Sequence, residues 1–228
     1  MNYEQRLHDA LEAVKREGRY RVFADLKRHR GAFPKAEQFD AVWGQICEVA
    51  DEWQHIDPAA YLEQWCGEVP DGVGAALMKV NHVGLYLGDY TTNEQVWEWA
   101  DFVRAQRAAH DVEVGPSYIS PKQYGTQGWW TSFSLPASGV ETFTCLDFGT
   151  WRARSVEERY RLMSHVALQV HDLPEVRRVL NAFESHVPNV EVIAFTEADE
   201  LGHTYGHLRH NPTKVVVEIV HHDPPSTR

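Results

Sequence analysis

The chain has 228 residues, 43% of them hydrophobic, and a formal net charge of −11 from 22 Lys and Arg against 33 Asp and Glu. That length and apolar share suffice for one large domain or two small ones with a substantial core, while the acidic balance, with no Lys/Arg stripe to offset it, repels a phosphate backbone and excludes nucleic acid as an expected partner. No run of about 18 apolar residues occurs, and the amino terminus, MNYEQRLHDALEAVKREGR, is charged where a secretory signal would be apolar, so a cytoplasmic protein with a small-molecule substrate and no membrane association is expected.

In chain order, Leu7, Leu11 and Val14 recur at helical spacing with charges between them and predict an amphipathic helix from Tyr3 to about Gly18. A lone helix of about fifteen residues is marginal in water, so its stripe needs a partner in the rest of the chain or at the contact of a homodimer. Phe39, Val42, Trp43, Ile46 and Val49, then Tyr61, Leu62 and Trp65, predict two more helices separated by Asp57 and Pro58. EVPDGVG, from Glu68, reads as a linker. Residues 1–72 are thus expected to be a helical extension. Cys47, Cys66 and Cys145 are widely spaced and form no C-x-x-C pair, which argues for reduced thiols and against a disulfide framework or a cysteine zinc site.

From residue 79 onward the pattern changes to short β-rich runs: HVGLYL, WWTSFSL, VETFTCL, HVALQV, VEVIAF and KVVVEIV. Two of them belong to a repeat. NHVGLYLGD, from Asn81, and SHVALQVHD, from Ser164, share His, Val, Leu and Asp in register, and each is followed by an amphipathic helix, one opening near Thr92 and the other near Asp172. Each half also closes on a Val-Glu strand, Gly128 preceding Glu141 by 13 residues and Gly206 preceding Glu218 by 12. The expected fold is α+β, with two βαβββ modules (79–150 and 160–228) that pair into one cupped sheet across residues 79–228, because neither is large enough to bury a sheet face alone.

Strand periodicity places His82, Gly84 and Tyr86 opposite Val83, Leu85 and Leu87, and places His165, Ala167 and Gln169 likewise away from the apolar set. Glu141 and Glu218 alternate with Val140 and Val217 and face the same way. A lone strand histidine is more often structural than a ligand. Four residues recurring in register shift the balance to a metal, since an inward carboxylate is costly unless paired or holding a cation, and two imidazoles with two carboxylates suit one divalent first-row ion. The predicted metal set is His82, Glu141, His165 and Glu218. His203, Tyr205 and His207 alternate on one strand face, and His207 is a candidate proton-transfer or substrate group. His221 and His222, near the chain end, are expected in solvent. Trp129 and Trp130 divide between packing and pocket, and Trp97 and Trp99 pack a helix.

These paired modules, with His on the first strand and Glu on the last strand of each, resemble the vicinal-oxygen-chelate superfamily, which includes glyoxalase I, methylmalonyl-CoA epimerase, extradiol dioxygenases and fosfomycin-resistance proteins. The symmetric His/Glu plus His/Glu set is most similar to glyoxalase I. That resemblance implies a curled sheet around one divalent metal ion (Ni, Co, Zn or Fe(II)) that holds adjacent substrate oxygens, with Glu141 or Glu218 as the base in an isomerase or lyase reaction. An Fe(II)-dependent dioxygenase and a non-catalytic small-ligand-binding protein are the alternatives within the same fold. Few cations beyond Arg209 are on offer, which favours a small oxygen-rich or aromatic substrate over a coenzyme A thioester.

A second resemblance lies at the other end. EGRYRVFADLKRHRGAFPKA, from Glu17, is similar to the amino-terminal arm of bacterial 5-aminolevulinate synthase, over about the first 36 residues. Nothing of that enzyme's cofactor domain follows, so what the likeness implies is a borrowed arm or a link to aminolevulinate-type metabolites.

Overall fold

The computed structural model describes residues 32–117, 119–136, 138–197 and 203–222. The helix expected over Tyr3–Gly18 and most of the synthase-like arm lie outside the described residues. A 3-10 turn at Ala36–Gln38 leads into α1 (Phe39–Trp53) and α2 (Pro58–Cys66). The second starts where the sequence says it must: the Asp57 carboxylate accepts from the Ala60 N–H at 2.7 Å, Pro58 holds the first turn, and Gly67, at φ 82°, closes the last one in the left-handed region. The linker from Glu68 ends in a single turn, α3 (Val73–Ala76), and runs directly into β1 (Leu77–Tyr90), a strand longer than its repeated core.

The first module is β1, α4 (Asn93–Arg104), β2 (His110–Pro116), α5 (Ile119–Tyr124), β3 (Gly128–Ser134) and β4 (Gly139–Leu146). Two short helices, α6 (Gly149–Arg152) and α7 (Val156–Met163), connect it to the second: β5 (His165–Val170), α8 (Leu173–His186), β6 (Val190–Thr196), β7 (His203–His210) and β8 (Val216–His222). The eight strands form one open sheet in the order β2-β3-β4-β1-β5-β8-β7-β6. Each half is a βαβββ unit, with β1 parallel to β4 and β5 parallel to β8, and the halves meet where β1 runs antiparallel to β5. In that seam His82 lies across from Ala167 and Gly84 across from His165, so a pseudo-twofold passes through the Val83–Val166 pair.

One face of the sheet carries the helices. Trp99 of α4 is fully buried and its indole N–H donates to the Thr142 hydroxyl on β4 at 3.0 Å, while Val176, Val179, Leu180 and Phe183 of α8 are buried on the other module. Helices α1 and α2 span both. Phe39 meets Trp99 at 5.2 Å between ring centroids and Trp43 meets Phe133 at 5.5 Å, whereas Trp65 meets Phe183 at 6.0 Å and donates to the Val215 carbonyl. These two helices share the core of the paired modules.

The opposite face is partly filled by the connecting helices. Tyr86 packs against Trp151 and Tyr160, and Asp89 accepts from the Trp151 indole at 2.6 Å and from Tyr86 while pairing with Arg159. In addition, the Gln123 amide of α5 donates to the Ile193 carbonyl on β6. A flat sheet would hold its outer strands roughly 34 Å apart, so a contact between the helix that follows β2 and the far edge strand requires the sheet to curl over this face.

Candidate metal centre

The seam puts the four sequence-predicted residues in one place. Glu141 on β4 aligns with Gly84 and Glu218 on β8 aligns with Ala167, each carboxylate two positions along from its module's histidine. His82 Nε2 lies 3.2 Å from His165 Nε2, and 3.6 Å from one oxygen of Glu141 and of Glu218. His165 Nε2 lies 3.1 Å from the same Glu218 oxygen. A fifth side chain joins them: His207 on β7, which sits across the strand pair from Glu218, brings its Nε2 to 3.2 Å from that oxygen. Two overlapping donor triads result, His82/Glu141/His165 and His165/His207/Glu218, with the donor atoms of each within 4.8 Å of one another.

Close approach at the seam depends on Gly84. A methyl group there would fall 2.3 Å from Cε1 of the His165 ring, so only hydrogen leaves the imidazole room to lie across β1. Its counterpart Ala167 keeps a methyl opposite His82, so the two halves are alike but not identical.

The outer nitrogens decide what the inner ones offer. Asn81 donates its amide to Gln169 at 3.2 Å, which orients its carbonyl oxygen toward His82 Nδ1 at 2.9 Å. His165 Nδ1 faces the Met163 carbonyl at 3.3 Å. Both partners only accept, so each Nδ1 carries the N–H and each neutral ring presents a bare Nε2 lone pair inward. In that form two Nε2 lone pairs and two carboxylates converge, a donor set suited to a cation. Hydrogen-bonded outer nitrogens of this kind are also how metal-ligating histidines are oriented. The donor spacings of 3.1 to 3.6 Å match the edges of a coordination shell of radius about 2.0–2.2 Å, which are roughly 2.8–3.6 Å for octahedral to tetrahedral geometry. The residues fit a divalent ion.

The electrostatics agree. Burial opposes a charge on His82, yet Glu141 and Glu218 outweigh it and lift the ring to about 9. Burial lowers His165 although the Glu218 carboxylate beside it opposes this. Burial likewise opposes the charge on Glu218, but His207, His82 and His165 around it hold its carboxyl well below the usual range. Glu141 is the most open of the set, its side chain 27% exposed against 7% for Glu218.

No family model matches the chain. Solved structures similar to it include methylmalonyl-CoA epimerase of Mycobacterium tuberculosis (13% identity over 65% of this chain and 91% of that one, TM-score 0.40), a variant of 4-hydroxymandelate synthase of Streptomyces coelicolor (11%, 65% and 50%, TM-score 0.39) and a variant of glyoxalase I of Zea mays (14%, 64% and 44%, TM-score 0.34). These neighbours have the vicinal-oxygen-chelate fold. Among curated proteins, 5-aminolevulinate synthase of Rhizobium meliloti is 54% identical over 74 residues, covering 32% of this chain and 15% of that enzyme; that of Rhodobacter capsulatus is 49% identical over 75 residues, with the same two shares. The chain thus matches only a small part of those synthases, over about twice the stretch expected from the sequence.

Elsewhere the structure revises several expectations. The spacing of Gly128 and Gly206 from the glutamates is not structural equivalence, since Gly128 pairs with Cys145 and Gly206 with Ile219; the true counterpart of His207 in the first module is Ser132, which pairs with Glu141. Trp97 is 41% exposed, edge-on to Trp129, so only Trp99 packs the helix into the core. Trp130 lies over Gly115 and donates to the Pro116 carbonyl. Arg209 is engaged by Glu191 at 2.6 Å. The three cysteines are free, Cys145 buried and Cys47 and Cys66 half-buried. No helix among the described residues is long and apolar enough to cross a membrane.

Proposed function

We propose that this chain is a metal-dependent enzyme of the vicinal-oxygen-chelate superfamily, glyoxalase-like in its ligand set, acting on a small oxygen-rich molecule as an isomerase or lyase. The observation that carries this is the convergence of the two Nε2 lone pairs, fixed by their outer hydrogen bonds, with Glu141 and Glu218 across the module seam. His82, His165, Glu141 and Glu218 would hold one divalent ion, and nitrogen and oxygen donors without sulfur suit Ni, Co, Zn or Fe(II). Bound there, the ion would polarise adjacent substrate oxygens and acidify the carbon beside them.

The chain's own groups supply the rest. A glutamate of the pair takes and returns the substrate proton. Phe143, whose ring lies 5.3 Å from that of His165, gives the site an apolar wall that limits water. Arg209 is already paired, so a phosphate-rich coenzyme finds no free cation in it, which supports a small or aromatic substrate. The synthase-like arm adds one candidate, a five-carbon α-ketoaldehyde related to aminolevulinate. Free cysteines fit a reducing compartment such as the cytoplasm.

Incubating the metal-loaded chain with α-ketoaldehydes, with and without glutathione, and with catechols under air tests the assignment. Turnover of an α-ketoaldehyde without oxygen uptake is the expected result. Catechol conversion with oxygen uptake would replace the isomerase with an Fe(II) dioxygenase, and metal binding with no turnover of any of them would favour the ligand-binding alternative.

A further inference from the structure

The two glutamates occupy equivalent positions in the repeat, yet their neighbours differ. Across the antiparallel pair from Glu218 stands His207; across from Glu141 stands Ser132. His207 and Glu218 are both buried and their side chains meet at 3.2 Å, whereas Glu141 is four times as exposed as Glu218, at 27% against 7%, and meets His82 only at 3.6 Å.

His207 differs from the other two imidazoles at its outer nitrogen. Its Nδ1 is buried with no hydrogen-bond partner among the described residues, unlike Nδ1 of His82 and His165, each of which faces a carbonyl oxygen. A proton on that Nδ1 would bury an unpaired N–H, whereas a proton on Nε2 points at the Glu218 carboxylate and makes a charge-assisted bond. The neutral ring therefore carries its hydrogen on Nε2. A ring in that form donates to Glu218 and has no inward lone pair for an ion.

We infer that His207 is a positioning residue that would pin Glu218 as the fixed carboxylate of the centre, leaving Glu141, which has a serine in the equivalent place, as the less constrained of the two. This rests on the metal site proposed above and assigns unequal work to its two glutamates. The contrast between His207 and Ser132 makes one half of the repeat a fixed anchor and the other a less constrained one.

Zinc affinity of the full chain, measured by chelator competition, tests this in four variants against the parent. His207→Leu is expected to weaken binding by about 10- to 100-fold, the effect of losing an outer partner of a ligand, while His207→Gln, which still offers an N–H, recovers most of it. Glu218→Gln is expected to cost more affinity than Glu141→Gln. Electron spin-echo spectroscopy of the Cu(II)-loaded parent, which needs no variant to fold, is expected to count two imidazoles. Three imidazoles, an unchanged affinity in His207→Leu, or equal losses from the two glutamates would overturn the assignment of His207. A parent chain that binds neither ion would instead overturn the metal site on which it rests.

Discussion

Gly84 shows how finely the site depends on single atoms. A methyl group at this position would stand 2.3 to 2.6 Å from three atoms of the His165 imidazole, so Gly84→Ala must rotate the ring away or shift β1, at a cost of about 1–3 kcal/mol for overpacking. Zinc affinity measured by chelator competition should fall at least about tenfold, as when an outer support of a ligand is lost; unaltered binding would mean that His165 is not a ligand. The reverse change at the symmetry-related position, Ala167→Gly, removes a methyl that His82 tolerates and should leave binding nearly intact. His82, Glu141, His165 and Glu218 were legible in the sequence because repetition supplied what a single histidine cannot: the same residue types at the same strand phase in two halves. The nearness of His207 to Glu218 was not legible. Strand alternation gave its face, but its partner is set by the β7–β8 register, which no local pattern states.

Among the elements, the long periodic helices and hydrophobic strands followed from pattern, while the missed ones were short. β2 has only Gly115 buried along its length, as suits an edge strand, and the two half-buried valines of HDVEVGP, Val112 and Val114, are too short an alternation to read. Helices α5, α6 and α7 have 6, 4 and 8 residues and owe their shape to tertiary partners. Arg159 of α7 is one such anchor, through the buried Asp89 of β1. Asp89→Ala strands that guanidinium and the Trp151 indole, and removal of one member of a buried ion pair is expected to cost about 3–5 kcal/mol; a urea midpoint matching the parent's would show that the connecting helices are not held this way. A smaller effect belongs to α2. Asp57→Ala removes the cap on the Ala60 N–H and should lower stability by about 1 kcal/mol, with zinc affinity unchanged because α2 lies on the helix side of the sheet. A loss of zinc binding there would link the helix layer to the site.

At the scale of the whole molecule, the repeat explains why the site exists at all. Each module carries one histidine on its first strand and one glutamate on its last, and only the antiparallel meeting of β1 and β5 brings His82 and His165 to 3.2 Å. The sequence showed two modules and the need to pair them. It did not show that α1 and α2 share their core, because Trp43 and Trp65 reveal an apolar stripe but not that one meets Phe133 of the first module and the other Phe183 of the second. The proposed ion would bind only the folded chain, and an ion at a hundred times its dissociation constant adds about 2.7 kcal/mol of stability, or roughly 5–10 °C in melting temperature for a chain of this size. The most direct measurement is therefore metal analysis of the chain purified without chelator, paired with thermal melts before and after chelation. One divalent ion per chain and a melting temperature that falls on chelation and recovers on reloading are predicted; a chain that holds no ion as purified or after reloading, and melts at the same temperature throughout, would contradict the metal centre.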